Sequence, residues 1–154
     1  MYMEDINTAD RLKRLQERID YHFKNEKFLT EALTHPSFAY ESRNKETSDN
    51  SRMEFLGDSI LGMVVAERLY RENPTLFEGE LTRLRSLLVN RDHLAGKAKE
   101  LGIGECLRVG KGEEKTGGRR NPANLAGALE ALIASIYLDS SIEEAKSFIL
   151  RVIS

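Results

Sequence analysis

The chain of 154 residues has no tryptophan, three prolines and a single cysteine, Cys106. One thiol cannot form an internal disulfide, so a disulfide-stapled secreted scaffold is excluded. No apolar run approaches the roughly 18 residues needed to cross a bilayer. No N-terminal stretch has the basic, apolar and small-residue regions of a signal peptide. The default expectation is therefore a cytoplasmic protein with no membrane contact. Sustained alternation of apolar and polar residues is also missing, which removes the main strand signal. Charge of one sign is missing too: 23 basic against 25 acidic residues leave a net charge of -2. The whole chain thus lacks the footprint of a tight nonspecific nucleic-acid binder, and a polyanion would have to be held by a local patch or through metal ions.

What is present is an ordinary globular composition, 40% hydrophobic and 31% charged, which argues against disorder. The length suits one domain with a sizeable core, and residues 1–154 read as a single domain. Helical spacing recurs throughout, so the expected fold is all-α with about seven helices, near residues 9–19, 27–34, 51–71, 78–89, 91–101, 122–138 and 142–153. Asn73-Pro74 should stop the third, because the residue before proline is pushed out of helical geometry. Asn121-Pro122 should open the sixth, where the missing proline amide costs nothing. Ser141 and Glu144 could form a capping box at the start of the seventh. Residues 36–49 and the glycine-rich 102–121 read as irregular, and loops that long in a compact domain are often functional.

The most informative segment is NSRMEFLGDSIL, residues 50–61. It sets Glu54 and Asp58 at i and i+4, on one helix face, among Met53, Phe55, Leu56, Ile60 and Leu61. Glu130 is equally conspicuous in LAGALEALIASIYL. Charges in apolar surroundings require a compensating cation or a water-filled cleft. Three carboxylates on two apolar helices suggest one site. Oxygen donors select hard cations, and magnesium typically keeps several waters while bridging a few carboxylates to a substrate phosphate. A metal so placed can lower the pKa of an attacking water and stabilise the charge that develops in phosphodiester hydrolysis. Spacing alone also permits the plainer reading, solvated acids at the edge of a buried face. A second local feature is RVGKGEEKTGGRR, residues 108–120. There Arg108, Lys111, Lys115, Arg119 and Arg120 outnumber Glu113 and Glu114, giving either a phosphate-contacting patch or a solvated glycine-rich loop.

SRMEFLGDSIL closely resembles the ribonuclease III family signature, whose commonest form is NERLEFLGDSIL. Three further blocks follow the family's order: EALTHPSF at 31–38, EGELTRLRSLLVNRDHLA at 78–95 and LEALIASIYLD at 129–139. The resemblance implies the helical ribonuclease III endonuclease fold. It also implies a homodimeric, magnesium-dependent endoribonuclease, with manganese a possible substitute and no small organic cofactor. Such an enzyme would cut both strands of double-stranded RNA, leaving 5′-phosphates and two-nucleotide 3′ overhangs. Glu54, Asp58 and Glu130 align with three of the family's four main catalytic acids. Glu78 aligns with an auxiliary acid near the cleft, and Phe55 with an aromatic residue of the dimer interface. The 108–120 patch becomes the candidate RNA contact, with Asn90 and Arg91 nearer the cleft. Shape and phosphates would dominate over base sequence in recognising the duplex. No double-stranded RNA-binding domain is expected within these residues.

The chain departs from the pattern twice. Ser51 stands where the family usually has an acid. Gly127 stands where ADxxEAL supplies a metal-cluster aspartate, the sequence here being AGALEAL. Glycine offers no ligand and costs about 0.5–1 kcal/mol relative to alanine in mid-helix. Gly127 therefore leaves open a catalytically impaired member that binds structured RNA or a ribonucleoprotein. A helical interaction domain that merely kept the fold is a third reading, one that leaves the carboxylates unexplained. His35 is expected to be a structural helix-end residue, His22 and His93 surface or boundary residues, and Cys106 a small apolar filler.

Overall fold

The computed structural model describes the backbone from Tyr2 to Ser154 and the side chains from residue 7 onward. The described residues hold ten α-helices: α1 (Tyr2–Ile19), α2 (Glu26–Ala32), α3 (Pro36–Glu41), α4 (Ser51–Glu72), α5 (Glu78–Val89), α6 (Arg91–Glu100), α7 (Ile103–Cys106), α8 (Lys111–Lys115), α9 (Pro122–Asp139) and α10 (Ile142–Val152). A 3-10 turn, Gly118–Arg120, precedes α9. The described residues contain no strand, only an isolated parallel bridge between Thr34 and Arg108. The all-α expectation holds.

All seven expected helices are found, within a few residues at most ends, though α1 begins at Tyr2 rather than near residue 9. The count of seven is too low, because α3, α7 and α8 lie in segments read as irregular. These helices have four to six residues, too short to show a helical period, and tertiary contacts hold them. The stops behave as their chemistry requires. Asn73 ends α4 before Pro74. The Asn121 side chain accepts from the amides of Ala123 and Asn124, with Pro122 at the first helical position. Ser141 Oγ accepts from the Glu144 amide, the first half of the expected capping box.

Architecture follows from α9, which is apolar all round and buries every residue from Leu125 to Ile136 except Glu130. A helix of that kind must be enclosed. It is wrapped by α4, its most extensive partner, and by α6, α2 and α10. Leu61, Val64, Leu94, Leu129, Leu132, Ile136 and Phe148 form the central core. By contrast α5 buries no residue, and its Leu81, Leu84 and Leu88 only lean on the core edge.

Candidate active site

α4 and α9 carry the three acids, and a glycine sets how closely the two helices approach. A Cβ built on Gly57 would fall 1.7 Å from the Glu130 carbonyl oxygen, so the α4 backbone lies directly against the α9 backbone where Glu130 stands. Asp58 follows Gly57, and Glu54 lies one turn earlier. The start of α4 is pinned by buried Asn50, whose Nδ2 donates to the Ala32 carbonyl (3.1 Å) and whose amide donates to Thr34 O (2.8 Å). The packing brings Glu54, Asp58 and Glu130 together at the rim of the α4–α9 contact.

The electrostatics follow from that proximity. Burial, then the charges of Asp58 and Glu54, push the Glu130 carboxyl up to about 8. Burial and Asp58 also raise Glu54, and His35 offsets part of that rise. Glu54 and Asp58 keep much of their surface in water, whereas Glu130 is half-buried. The Glu54 carboxyl end is turned onto α9, which is why burial leads the causes of its shift: its Oε2 lies 2.6 Å from where a Cβ on Gly127 would be. The position left without a ligand by Gly127 is therefore not vacant. Among the described residues no ammonium or guanidinium pairs with any of the three carboxylates.

Their chemistry suits a hard divalent cation: oxygen donors only, mutual repulsion, and a protein-side charge deficit that a cation would relieve. They do not form a ready cage, since no group of three or more His, Cys, Asp or Glu among the described residues is placed to hold an ion as it stands. Magnesium requires no such cage, because it commonly retains several waters and takes only one or two carboxylates directly.

Other expected site residues fall elsewhere. Ser51, at the first position of α4, is exposed and contributes no charge. Glu78 is not in the cluster. Its Oε1 accepts from Thr82 Oγ1 (2.9 Å), and it lines a groove of about 440 Å³ with Ala66, Tyr70 and Arg85. Ala66 to Tyr70 lie 8 to 12 residues beyond Asp58, about 12–18 Å along α4. Phe55 is 78% exposed, an unusual setting for a large aromatic on a long helix. The basic segment divides in two. Arg108 stacks over the Phe38 ring at 4.2 Å, and Arg119 is tied to Glu114 (2.6 Å) and to the Gly104 and Leu107 carbonyls. Lys111, Lys115 and Arg120 are exposed and in no ion pair among the described residues. Cys106 is buried, with burial raising its thiol pKa, as a filler would be. His22 is exposed, and His93 is half-buried with Nε2 donating to Ile153 O (2.8 Å).

Two features escaped the sequence reading. The first is Gly57, for which the available signal was a glycine inside a strong helix. The second is a polar chain through His35, which caps α3 as expected by accepting at Nδ1 from the Ser37 amide (3.0 Å). Its Nε2 then donates to Asn124 Oδ1 (3.0 Å), and Asn124 Nδ2 donates to Glu113 Oε1 (2.9 Å) and Gly118 O (3.0 Å). These bonds fasten the basic segment to the first turn of α9, six residues or about 9 Å before Glu130. Nothing in the sequence marked Asn124 or Glu113.

Comparison with known proteins gives the family and the fold. Residues 25–154 match the family described as Ribonuclease-III-like. The chain is 44% identical over 148 residues to Ribonuclease 3 of Pelotomaculum thermopropionicum, covering 96% of this chain and 61% of that protein. It is 52% identical over 124 residues to Ribonuclease 3 of Thermobifida fusca, covering 80% of this chain and 51% of that one. The chain thus spans roughly half to three fifths of these relatives' length. The nuclease domain of ribonuclease III from Campylobacter jejuni superposes with a TM-score of 0.86 at 39% identity, covering 92% of this chain and 95% of that one. That structure is described as showing structural flexibility in a region involved in dimer formation.

Proposed function

As the chain belongs to the ribonuclease III-like family, we propose that it is the nuclease domain of a cytoplasmic endoribonuclease that processes double-stranded RNA. The observation that carries this reading is the meeting of Glu54, Asp58 and Glu130 at the α4–α9 contact. Magnesium, or manganese in its place, would supply an activated water and neutralise charge on the scissile phosphate. Asp58 and Glu130 would hold it, with Glu54 beside them. The protein's own contribution is to keep these oxygens at one rim, orient them through the Gly57 approach, and present the phosphate contact surface. The products would carry 5′-phosphates, with two-nucleotide 3′ overhangs where two sites act on one duplex.

Two sites require a homodimer, and the exposed apolar face supports one. Phe55, Met63 and Tyr70 project from α4 and Leu87 from α5, with Phe77 just before α5, and Phe77 is 82% exposed. A two-fold interface places one site at each end of a shared groove. Phe55→Ala is expected to weaken association by removing a central aromatic anchor, by about 2 kcal/mol or some 30-fold in Kd. Sedimentation across a dilution series that gives the same dissociation constant for both proteins would remove Phe55 from that role.

Lys111, Lys115 and Arg120 form the exposed part of the basic segment. Reversing these three charges is expected to weaken duplex affinity. It should also reduce the slope of log affinity against log salt by about 0.9 for each phosphate that is no longer neutralised. Binding is measured in calcium, chosen to suppress turnover. An unchanged slope would put the RNA-binding surface elsewhere.

A second reading rests on Gly127: a family member with one acid fewer that binds structured RNA without cutting it. One experiment separates the two. The purified chain is incubated with a long RNA duplex, with and without magnesium. Discrete short duplexes with 5′-phosphates appearing only with the ion support the nuclease, whereas a stable complex without products supports the binding module.

A further inference from the structure

The basic segment takes part in a hydrogen-bonded circuit that starts and ends within it. The Gly110 amide donates to Ser37 Oγ (2.9 Å), and the Ser37 hydroxyl and amide both donate to His35 Nδ1 (2.7 and 3.0 Å). A backbone amide can only donate, so Nδ1 is the accepting nitrogen and Nε2 carries the proton. Nε2 donates to Asn124 Oδ1 (3.0 Å), which fixes the orientation of that amide group. Asn124 Nδ2 then returns to the segment, donating to Glu113 Oε1 (2.9 Å) and Gly118 O (3.0 Å). Beside Gly110, the Lys111 amide donates to Glu41 Oε2 (2.8 Å). Gly118 belongs to the same arrangement, since a Cβ there would run into the Glu113 side chain. Both acids of the segment are thus engaged, Glu113 by Asn124 and Glu114 by Arg119, while Lys111, Lys115 and Arg120 face water.

Building on the RNA-contact reading above, we infer that Asn124 is a positioning residue for duplex binding, holding Glu113 and Gly118 on the first turn of α9 so that Lys111, Lys115 and Arg120 form one preformed cationic surface. The anchor lies on the same helix as Glu130, so the surface is set in place relative to the acids. Glu113, although an acid, thereby favours binding of a polyanion. A segment ordered before it meets its ligand avoids the ordering cost on binding, and its cations can engage phosphates together. Charge alone gives the opposite sign, because a carboxylate near a phosphate backbone repels it. That difference in sign separates positioning from plain electrostatics.

Duplex affinity is measured against salt, in calcium, for the parent, Glu113→Gln, Glu113→Ala and Asn124→Leu. Gln keeps an acceptor for Asn124 Nδ2 and removes only the charge, so Glu113→Gln is expected to bind as tightly as the parent or up to about threefold tighter. Glu113→Ala removes the same charge together with the acceptor, and Asn124→Leu changes no charge at all. Each of these two is expected to bind about tenfold more weakly, with a shallower salt dependence. Amide hydrogen exchange without RNA or metal supplies a second readout. In Asn124→Leu, residues 110–120 should exchange faster while α4 and the later turns of α9 keep the parent's protection. Glu113→Ala binding as tightly as Glu113→Gln, or parent-like exchange across 110–120 in Asn124→Leu, would overturn the positioning role and leave the RNA contact standing. Parent-like affinity after charge reversal at Lys111, Lys115 and Arg120 would overturn both.

Discussion

Asp58→Asn and Glu130→Gln are each expected to abolish magnesium-dependent cleavage of duplex RNA while leaving the helical fold and self-association intact. Each change removes a charged oxygen with almost no change in volume, so packing gives no reason for loss. The drop should exceed the roughly 10–100-fold that follows loss of a group merely supporting a metal ligand. Initial rates at saturating magnesium decide it, and near-parent turnover in either variant would refute the site assignment. Glu130→Gln carries a second expectation, in the opposite direction, for stability. The Glu130 carboxyl, ordinarily near 4.5, is held up to about 8 in the fold. Between those values the folded state binds more protons than the unfolded chain, so the metal-free protein loses stability as pH rises from about 4.5 to about 8 and levels off above. Gln cannot ionise, so the variant should melt higher than the parent near pH 8 and show a flatter profile. Melting in chelator across that range checks the sign.

Much of this was legible beforehand because the informative residues break local rules. Carboxylates in apolar helices stand out, and each of the two long helices that carry them has a proline-marked limit. Hence α4, α9 and the acids Glu54, Asp58 and Glu130 were readable. What stayed hidden depends on contacts between segments far apart in the chain. The short α7 and α8 exist because Arg119 binds the Gly104 and Leu107 carbonyls and Asn124 binds Glu113, and no local pattern encodes those pairings. For the same reason five basic residues read as one patch, although Arg108 and Arg119 have structural partners and only three face water freely. Gly127 was legible as an absence. That Glu54 occupies the space it leaves is a fact about two helices side by side, visible only once they are packed.

Gly57→Ala should be the most damaging single-methyl change in the chain. The added Cβ would lie 1.7 Å from the Glu130 carbonyl oxygen, a backbone atom held within α9 that no rotamer change can move aside. Overpacking in a well-packed interior typically costs 1–3 kcal/mol, and an overlap this deep with backbone belongs at about 3. Replacing a mid-helix glycine returns about 1 kcal/mol of helix propensity. The packing cost prevails, leaving a net loss of about 2 kcal/mol, or some 4–8 °C in Tm for a domain of this size. Activity should fall further than stability, because α4 can relieve the overlap only by withdrawing from α9, which parts Asp58 from Glu130. Gly96→Ala supplies the contrast. Gly96 is exposed in mid-α6 and a Cβ there meets nothing within 4 Å, so the propensity gain stands alone and Tm should rise. If Gly57→Ala melts as high as Gly96→Ala, the helices do not meet at the distance that brings the three carboxylates together.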